Sequence, residues 1–286
     1  MKVDTMARPA VLDGQAAAAP GTITRGQQSG LQGWHARAKK ALRIASPFLL
    51  LLLWEVLSRG GVLDRRFFPP PTELAASARD MLSDGSLLAS AQDSLRRLVI
   101  GYVSGAILGV LLGLWLGLSS WARALFEPWL IVTYPIPKLA LFPLLVLIVG
   151  LGEPPIIILL AIAVFYVVAI NLIAGVMAIR PVILDVGRDC GASFWQLVRT
   201  VALPASLPHI MTGLEISMGI AYIVLIAAEF VGAKSGLGSV IWSSWQLFDV
   251  APMYVSIVTI SVLGYGSVLA LRYVAQLLMP WQKRNP

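Results

Sequence analysis

The sequence predicts an all-helical integral membrane protein with six transmembrane helices, on three observations. Of its 286 residues 57% are hydrophobic and only 13% are charged, with a mean hydropathy of +0.79. Apolar runs of about 20 residues, the length that spans a bilayer, recur along the chain. Most of the basic residues fall in the stretches between those runs. A soluble domain of this length carries far more charge. The net charge of +7 does not point to nucleic acid, because no basic patch with interleaved aromatics occurs. A bias of Lys and Arg toward the cytoplasmic side of a membrane explains it better. Cys190 is the single cysteine and the two histidines, His35 and His209, lie far apart. No intrachain disulfide and no metal-ligand set is therefore visible, and Cys190 beside Gly191 reads as a small packing residue.

Residues 1–43 are expected to form a disordered, basic cytoplasmic tail. The first 33 are rich in Ala, Gly, Gln, Thr and Pro without apolar periodicity, and Arg37, Lys39, Lys40 and Arg43 follow. The first apolar run starts near Ile44 behind those charges, which fits a retained helix better than a signal peptide. The membrane domain is expected over 44–280. Its first helix, 44–62, is interrupted by Glu55 and Arg59. Segment 63–93 leaves the membrane, with a turn at Phe67-Phe68-Pro69-Pro70-Pro71 and an amphipathic helix from Thr72-Glu73 to about Ser83.

A second helix, Ser94 to Leu118, carries Gly101, Gly105, Gly109, Gly113 and Gly117 at four-residue spacing. They make one smooth ridge for close approach of another helix, most simply one of the same chain. After a loop at 119–125, the run from Phe126 to Gly152 holds Pro128, Pro135, Pro137 and Pro143 together with Lys138. Such a run cannot be a straight lipid-facing helix, so it is expected to be broken and to line an interior path, or to form a hairpin that never fully crosses. The helix from Pro155 to Ile179 has Asn171 as its one strongly polar residue, suited to a hydrogen bond between helices worth ~1 kcal/mol.

The loop 180–208 follows, with Arg180, Arg188 and Arg199 placing it in the cytoplasm. A fifth helix is expected over His209–Gly232, with Glu215 and Glu229 in it. Segment 233–251 then carries Lys234, a Gly236-x-Gly238 turn, Trp242, Trp245 and Phe248, an apolar-aromatic mixture suited to a membrane–water interface. The last helix runs from Pro252 to Leu271, and residues 281–286 form a short basic cytoplasmic tail. Both termini are thus expected in the cytoplasm, although Arg59, Arg65, Arg66 and Arg79 fall outside in this scheme.

Within the loop, Asp185 to Pro204 is polar and helical in pattern, with Phe194, Trp195, Leu197, Val198 and Val201 at helical spacing. Pro181 and Pro204 should limit it to a few turns. It is either an amphipathic helix on the membrane surface or a segment made to be gripped by a partner.

Asp185-Val186-Gly187, Gly191 three residues on, and Val201-Ala202-Leu203-Pro204 after nine more resemble the EAA motif of bacterial ABC importer permeases: Glu-Ala-Ala, three residues, Gly, nine residues, Ile-x-Leu-Pro. The opening triplet departs from it and the glycine-to-Leu-Pro spacing matches in full. Other stretches resemble the branch that serves taurine, aliphatic sulfonates, nitrate and pyrimidine precursors. These are Phe67 to Thr72, Ser94-Leu95-Arg96-Arg97 with Gly101-Tyr102, Tyr134-Pro135-Ile136-Pro137 through Gly150-Leu151-Gly152-Glu153, Ala228-Glu229, and Gly236-Leu237-Gly238. Glu215 departs from an Arg common in such permeases.

The resemblance implies a core like that of the type I importer fold, in a bacterial inner membrane. It implies a pair of permease copies, two ABC ATPase subunits and an extracytoplasmic solute-binding protein. It also implies a coupling role for Asp185, Gly187, Asp189, Gly191, Ala192, Ser193, Phe194, Trp195, Leu203 and Pro204. No phosphate-binding Gly-x-x-x-x-Gly-Lys-Ser/Thr loop occurs, so ATP and Mg are expected in the partner and no cofactor in this chain. Candidate pathway residues are Tyr134, Pro137, Lys138, Asn171 and Glu229. Lys138 either attracts an anionic solute or is paired or snorkelled to an interface. Glu229 is expected to pair locally or cap a gate. An intramembrane hydrolase is disfavoured, because no nucleophile and base lie at matching depth and the apolar cores of the spans hold no Asp. A passive channel would need no ATPase.

Overall fold

The computed structural model describes residues 25–281, whose regular structure is helical, with no strand among the described residues. The expectations for residues 1–24 and 282–286 lie outside them. The chain divides into two units, 1–54 and 55–286. The described part of the first is the body of α1 (Arg25–Arg59), with Pro47 inside it. Residues 25–43 are therefore helical where composition suggested a tail. Gln, Ala, Lys, Arg and Leu dominate from Gln27 to Leu42, and these are strong helix formers even without an apolar stripe.

In the second unit, α2 (Pro71–Ser83) starts on a proline in its first turn, whose fixed φ suits that position. Gly85, at φ +78°, turns the chain into α3 (Ser86–Leu118). This helix begins before the expected Ser94, because Asp84 accepts the Ser86 N–H at 2.8 Å and Leu87 is already buried. The expected loop at 119–125 is reduced to Ser119. Its hydroxyl accepts the Ala122 N–H at 3.2 Å and starts α4 (Ser120–Thr133) without delay.

The glycine ridge of α3 lies against α6 (Glu153–Met177), as packing within one chain requires. A Cβ on Gly105 would sit 2.4 Å from the Ala161 carbonyl oxygen, and one on Gly117 2.6 Å from Val176 Cβ. Helix α6 is central: Ile156, Leu159, Leu160, Val164, Val168 and Leu172 have no exposed surface. Its other side receives α9 (Leu203–Gly232), where Gly175 faces His209 and Gly213 faces Asn171.

The proline-rich run is broken, as expected. α4 and the stretch Lys138–Val149, made of a 3-10 turn (Lys138–Leu141) and α5 (Phe142–Val149), meet at 93°. Pro135 and Pro137 supply no N–H at the break, while Pro143 lies in the first turn of α5, where none is needed.

After α6 come α7 (Pro181–Asp189) and a very short α8 (Phe194–Leu197). Pro204 does not stop the helix that follows. A π-turn over Val198–Ala202, in which the Leu203 N–H reaches back to the Val198 carbonyl, widens the ladder just ahead of the proline, and α8 runs on into α9. The fifth helix thus starts well before His209. Segment 233–251 contains α10 (Leu237–Leu247), and the last helix, α11 (Val250–Leu278), runs past the expected Leu271, with Arg272 paired to Glu215 at 3.2 Å and Ala275 packed against Met211.

Among the described residues, α3, α6, the continuous Phe194–Gly232 helix and α11 are long and apolar enough to cross a membrane, and the bent pair is a fifth if counted as one span. The span expected over 44–62 falls in α1, which is not among these.

Candidate functional site

The segment between α6 and α9 is built to hold an apolar face outward. Arg180 and Pro181 start α7, and Gly187 on its inner side leaves room for Leu197, whose Cδ1 would lie 2.7 Å from a Cβ there. Leu197 is buried and so fastens α8 to α7. Between them Gly191 takes φ +77°, and the Ala192 N–H closes on the Gly187 carbonyl at 3.0 Å. Ser193 then caps α8: its N–H donates to Gln196 Oε1 at 2.7 Å, and its hydroxyl accepts the Gln196 N–H. This holds Phe194 and Trp195 edge to face, ring centres 5.7 Å apart, with Trp195 74% exposed. Val182, Ile183 and Val186 of α7 are exposed as well. Asp185 and Asp189 are exposed beside them, Asp185 taking Arg188 at 3.1 Å. Leu203 and Pro204 are half-buried in α9, and Leu203 packs into the core beside Ala202.

At the broken span, Lys138 turns back on the end of α4. Its ammonium donates to the carbonyls of Thr133, Tyr134 and Ile136 at 3.3, 2.7 and 3.0 Å and lies 4.4 Å from the ring centre of Tyr166. Pro137 sits exposed at the start of the 3-10 turn, and Tyr166 donates to the Thr133 hydroxyl at 2.7 Å. A cation at the carbonyl end of a helix is favourably placed, and here it fills the gap that the prolines leave. Lys138 is thus occupied by backbone and aromatic faces rather than free for a solute. We expect Lys138→Met to leave these carbonyls short of a partner and to lower stability by about 1–3 kcal/mol, read as a fall in melting temperature with the ratio of rates for two solutes unchanged.

The third place is the far end of α9. Glu229 has no exposed surface. Ser94 donates to its carboxylate at 2.9 Å, Arg97 Nη1 at 2.7 Å and the Gly238 N–H at 2.9 Å. The Ser94 oxygen in turn accepts the Leu237 N–H at 2.8 Å. Arg97, 3% exposed, also donates to the carbonyl and hydroxyl of Ser235 at 2.7 and 2.9 Å and shares Glu153 with Arg96. Gly236, at φ +108°, has to be glycine: a Cβ would meet Glu229 Oε1 at 2.5 Å. This buried pair is bonded from four elements, with Arg97 Nε alone left without a partner, and costs about 3–5 kcal/mol to break by removing one member.

Residues 105–279 match the family of binding-protein-dependent transport system inner membrane components. The chain belongs to this family. This permease is 30% identical over 253 residues to the taurine transport system permease protein TauC of Escherichia coli (strain K12), covering 87% of this chain and 92% of that one. It is 29% identical to the putative aliphatic sulfonates transport permease protein SsuC of Bacillus subtilis (strain 168), covering 82% and 86%. It is 28% identical to the riboflavin transport system permease protein RibX of Chloroflexus aurantiacus, covering 82% and 87%. In fold it is similar to a chain of the MetNI methionine ABC transporter in an inward-facing conformation, with a TM-score of 0.58 at 20% identity over 67% of this chain and 96% of that one. It is a transporter subunit of an ABC importer in the inner membrane, all-helical with the core of type I importers.

Of the residues singled out from the sequence, Asp185 to Trp195 fall together on the segment between α6 and α9, while Leu203 and Pro204 belong to the helix beyond. Tyr134, Pro137 and Lys138 share the break. Asn171 stays on its own helix, donating to the Val167 carbonyl at 2.8 Å, and Glu229 lies in the cluster with Ser94 and Arg97. Two groups escaped the reading of the sequence. Val182, Ile183 and Val186 were legible as a short apolar stripe at helical spacing. Ser94 and Arg97, three apart and so on one face of α3, gave no sign of which carboxylate they would meet.

Proposed function

We propose that this permease works as a pair of identical copies forming the path of an importer for a small sulfonate-type anion. An extracytoplasmic binding protein delivers the solute, and two separate ABC ATPase subunits carry ATP and Mg. The observation that carries the ATPase partnership is the exposed apolar face of 181–197: an aromatic pair on a capped turn, with three aliphatic side chains beside it and no core of its own to cover them. Aromatic side chains on a rigid support are the usual anchors of a protein interface. In this reading the segment and both termini face the cytoplasm and lipid surrounds the outer helices. ATP-driven closure of the ATPase pair pulls the two segments together and turns the path outward, and hydrolysis resets it. The chain itself converts movement and performs no reaction.

The sulfonate class rests on the relatives named for taurine and aliphatic sulfonates, since the charge at the break, Lys138, is already satisfied. A second reading, a planar heterocycle, is favoured by the relative named for riboflavin. ATP-dependent uptake into proteoliposomes holding the permease, its ATPase and its binding protein separates the two. Accumulation of labelled taurine, with competition by other alkyl sulfonates, is expected. Accumulation of riboflavin without taurine would replace the first reading by the second.

A further inference from the structure

We infer that Glu229, held by Ser94 and Arg97, is a positioning residue through which movement at the docking segment reaches α10 at the opposite end of the permease. The inference rests on the reading of 181–197 as the face that the ATPase grips. Its first support is continuity: α8, the π-turn and α9 form one helix from Phe194 to Gly232. Trp195 and Glu229 therefore lie on one continuous helix, roughly 50 Å apart along its axis at the rise of an α-helix.

The second support is the fastening at the far end. Glu229 takes the Gly238 N–H directly, and Ser94, which donates to Glu229, takes the Leu237 N–H. These are the first two N–H groups of α10, groups that a helix cannot satisfy internally. The link between α9 and α10 is short and is itself tied down, because Ser235 accepts Arg97 on both its carbonyl and its hydroxyl. α10 therefore follows the end of α9, or these buried bonds break. The third support is the π-turn at 198–202, a departure from regular pitch at the point where the helix leaves the docking face, a place where such turns often mark functional segments. Core packing alone would not call for a buried ion pair here. Apolar residues of similar volume hold helices together as well or better.

The test uses the permease in complex with its ATPase. The exposed Cys190 is replaced in a Cys190→Ser background, and Ile241, buried on α10, is changed to Cys as the reporter. Maleimide labelling is timed with and without ATP and vanadate. In the parent, trapping is expected to change the labelling rate about fivefold or more, the scale of coupling between linked sites. In Glu229→Gln the ATPase is expected to stay bound and to hydrolyse ATP, while the change in labelling falls below about twofold. Stability loss alone would not remove the response to nucleotide from an assembled complex. If Glu229→Gln does not assemble, Ser94→Ala takes its place, since it removes one donor to Glu229 and the acceptor for Leu237. A variant that keeps the parent's response overturns the inference. So does a parent that shows no response, or failure of both variants to assemble, which would make the cluster a support for folding only. Full ATPase binding by Phe194→Ala and Trp195→Ala would sink the docking reading instead, and is scored separately.

Discussion

Gly105→Leu leaves no folded permease. The Cβ alone would stand 2.4 Å from the Ala161 carbonyl oxygen and 2.9 Å from its Cα, and backbone cannot move aside as a side-chain tip can. Overpacking a close-packed interior costs about 1–3 kcal/mol when side chains can adjust, so a backbone clash carrying a whole isobutyl group lies at or above the top of that range. The five glycines set the distance between α3 and α6 along the whole contact, so parting the helices at one point strips packing from Leu160 to Val176. The measurement is the yield and melting temperature of detergent-purified protein. Gly219→Ala is the control: nothing lies within 4 Å of a Cβ there, and alanine in a helix is favoured over glycine by about 1 kcal/mol. A folded Gly105→Leu with the parent's melting temperature would mean that the ridge does not face α6.

Phe194→Ala with Trp195→Ala separates the permease from its ATPase while leaving the permease folded. Neither ring supports the core: Trp195 is 74% exposed and Phe194 48%, while the neighbouring Leu197 carries the packing onto α7. Anchors of this kind are each worth about 2 kcal/mol or more at an interface. Losing one such anchor weakens binding ~30-fold, and losing both weakens it by more than a hundredfold, at a tenfold change per 1.4 kcal/mol. The measurement is the ATPase retained by tagged permease after washing, together with the melting temperature of the permease alone. Val186→Ser, on the α7 side of the same face, is expected to give a smaller loss in the same direction. Undiminished co-purification of the double variant would remove these residues from the interface.

The spans in α3, α6, α9 and α11 were legible because an apolar run has few alternatives in a bilayer, where every backbone group must bond within its own segment, whereas the span expected over 44–62 is not among the helices long and apolar enough to cross. The break after Thr133 was legible for the complementary reason, since Pro135 and Pro137 remove N–H groups that a straight helix would need. Pro204 misled because a proline shows only that the ladder must give way, not how. Here one π-turn absorbs it, and a helix boundary expected near His209 vanishes. The 181–197 segment was found through Gly191 and its spacing to Leu203-Pro204, yet from Phe194 onward that spacing runs along one helix rather than through a loop. Glu229 was legible as a charge needing a partner. Its side-chain partners are 132 and 135 residues away along the chain, and nothing local to Ser94 or Arg97 points across that distance.

This chain is expected to move solute only when a separate ATPase drives it through the 181–197 face. Proteoliposomes containing the permease, its ATPase and its binding protein test it most directly, with uptake of labelled taurine followed with and without ATP. Uptake is expected only with ATP and all three proteins present, and it should fall to background when Phe194 and Trp195 are both alanine. Taurine accumulation by the permease alone, or uptake indifferent to ATP, would mean that the path opens without an ATPase.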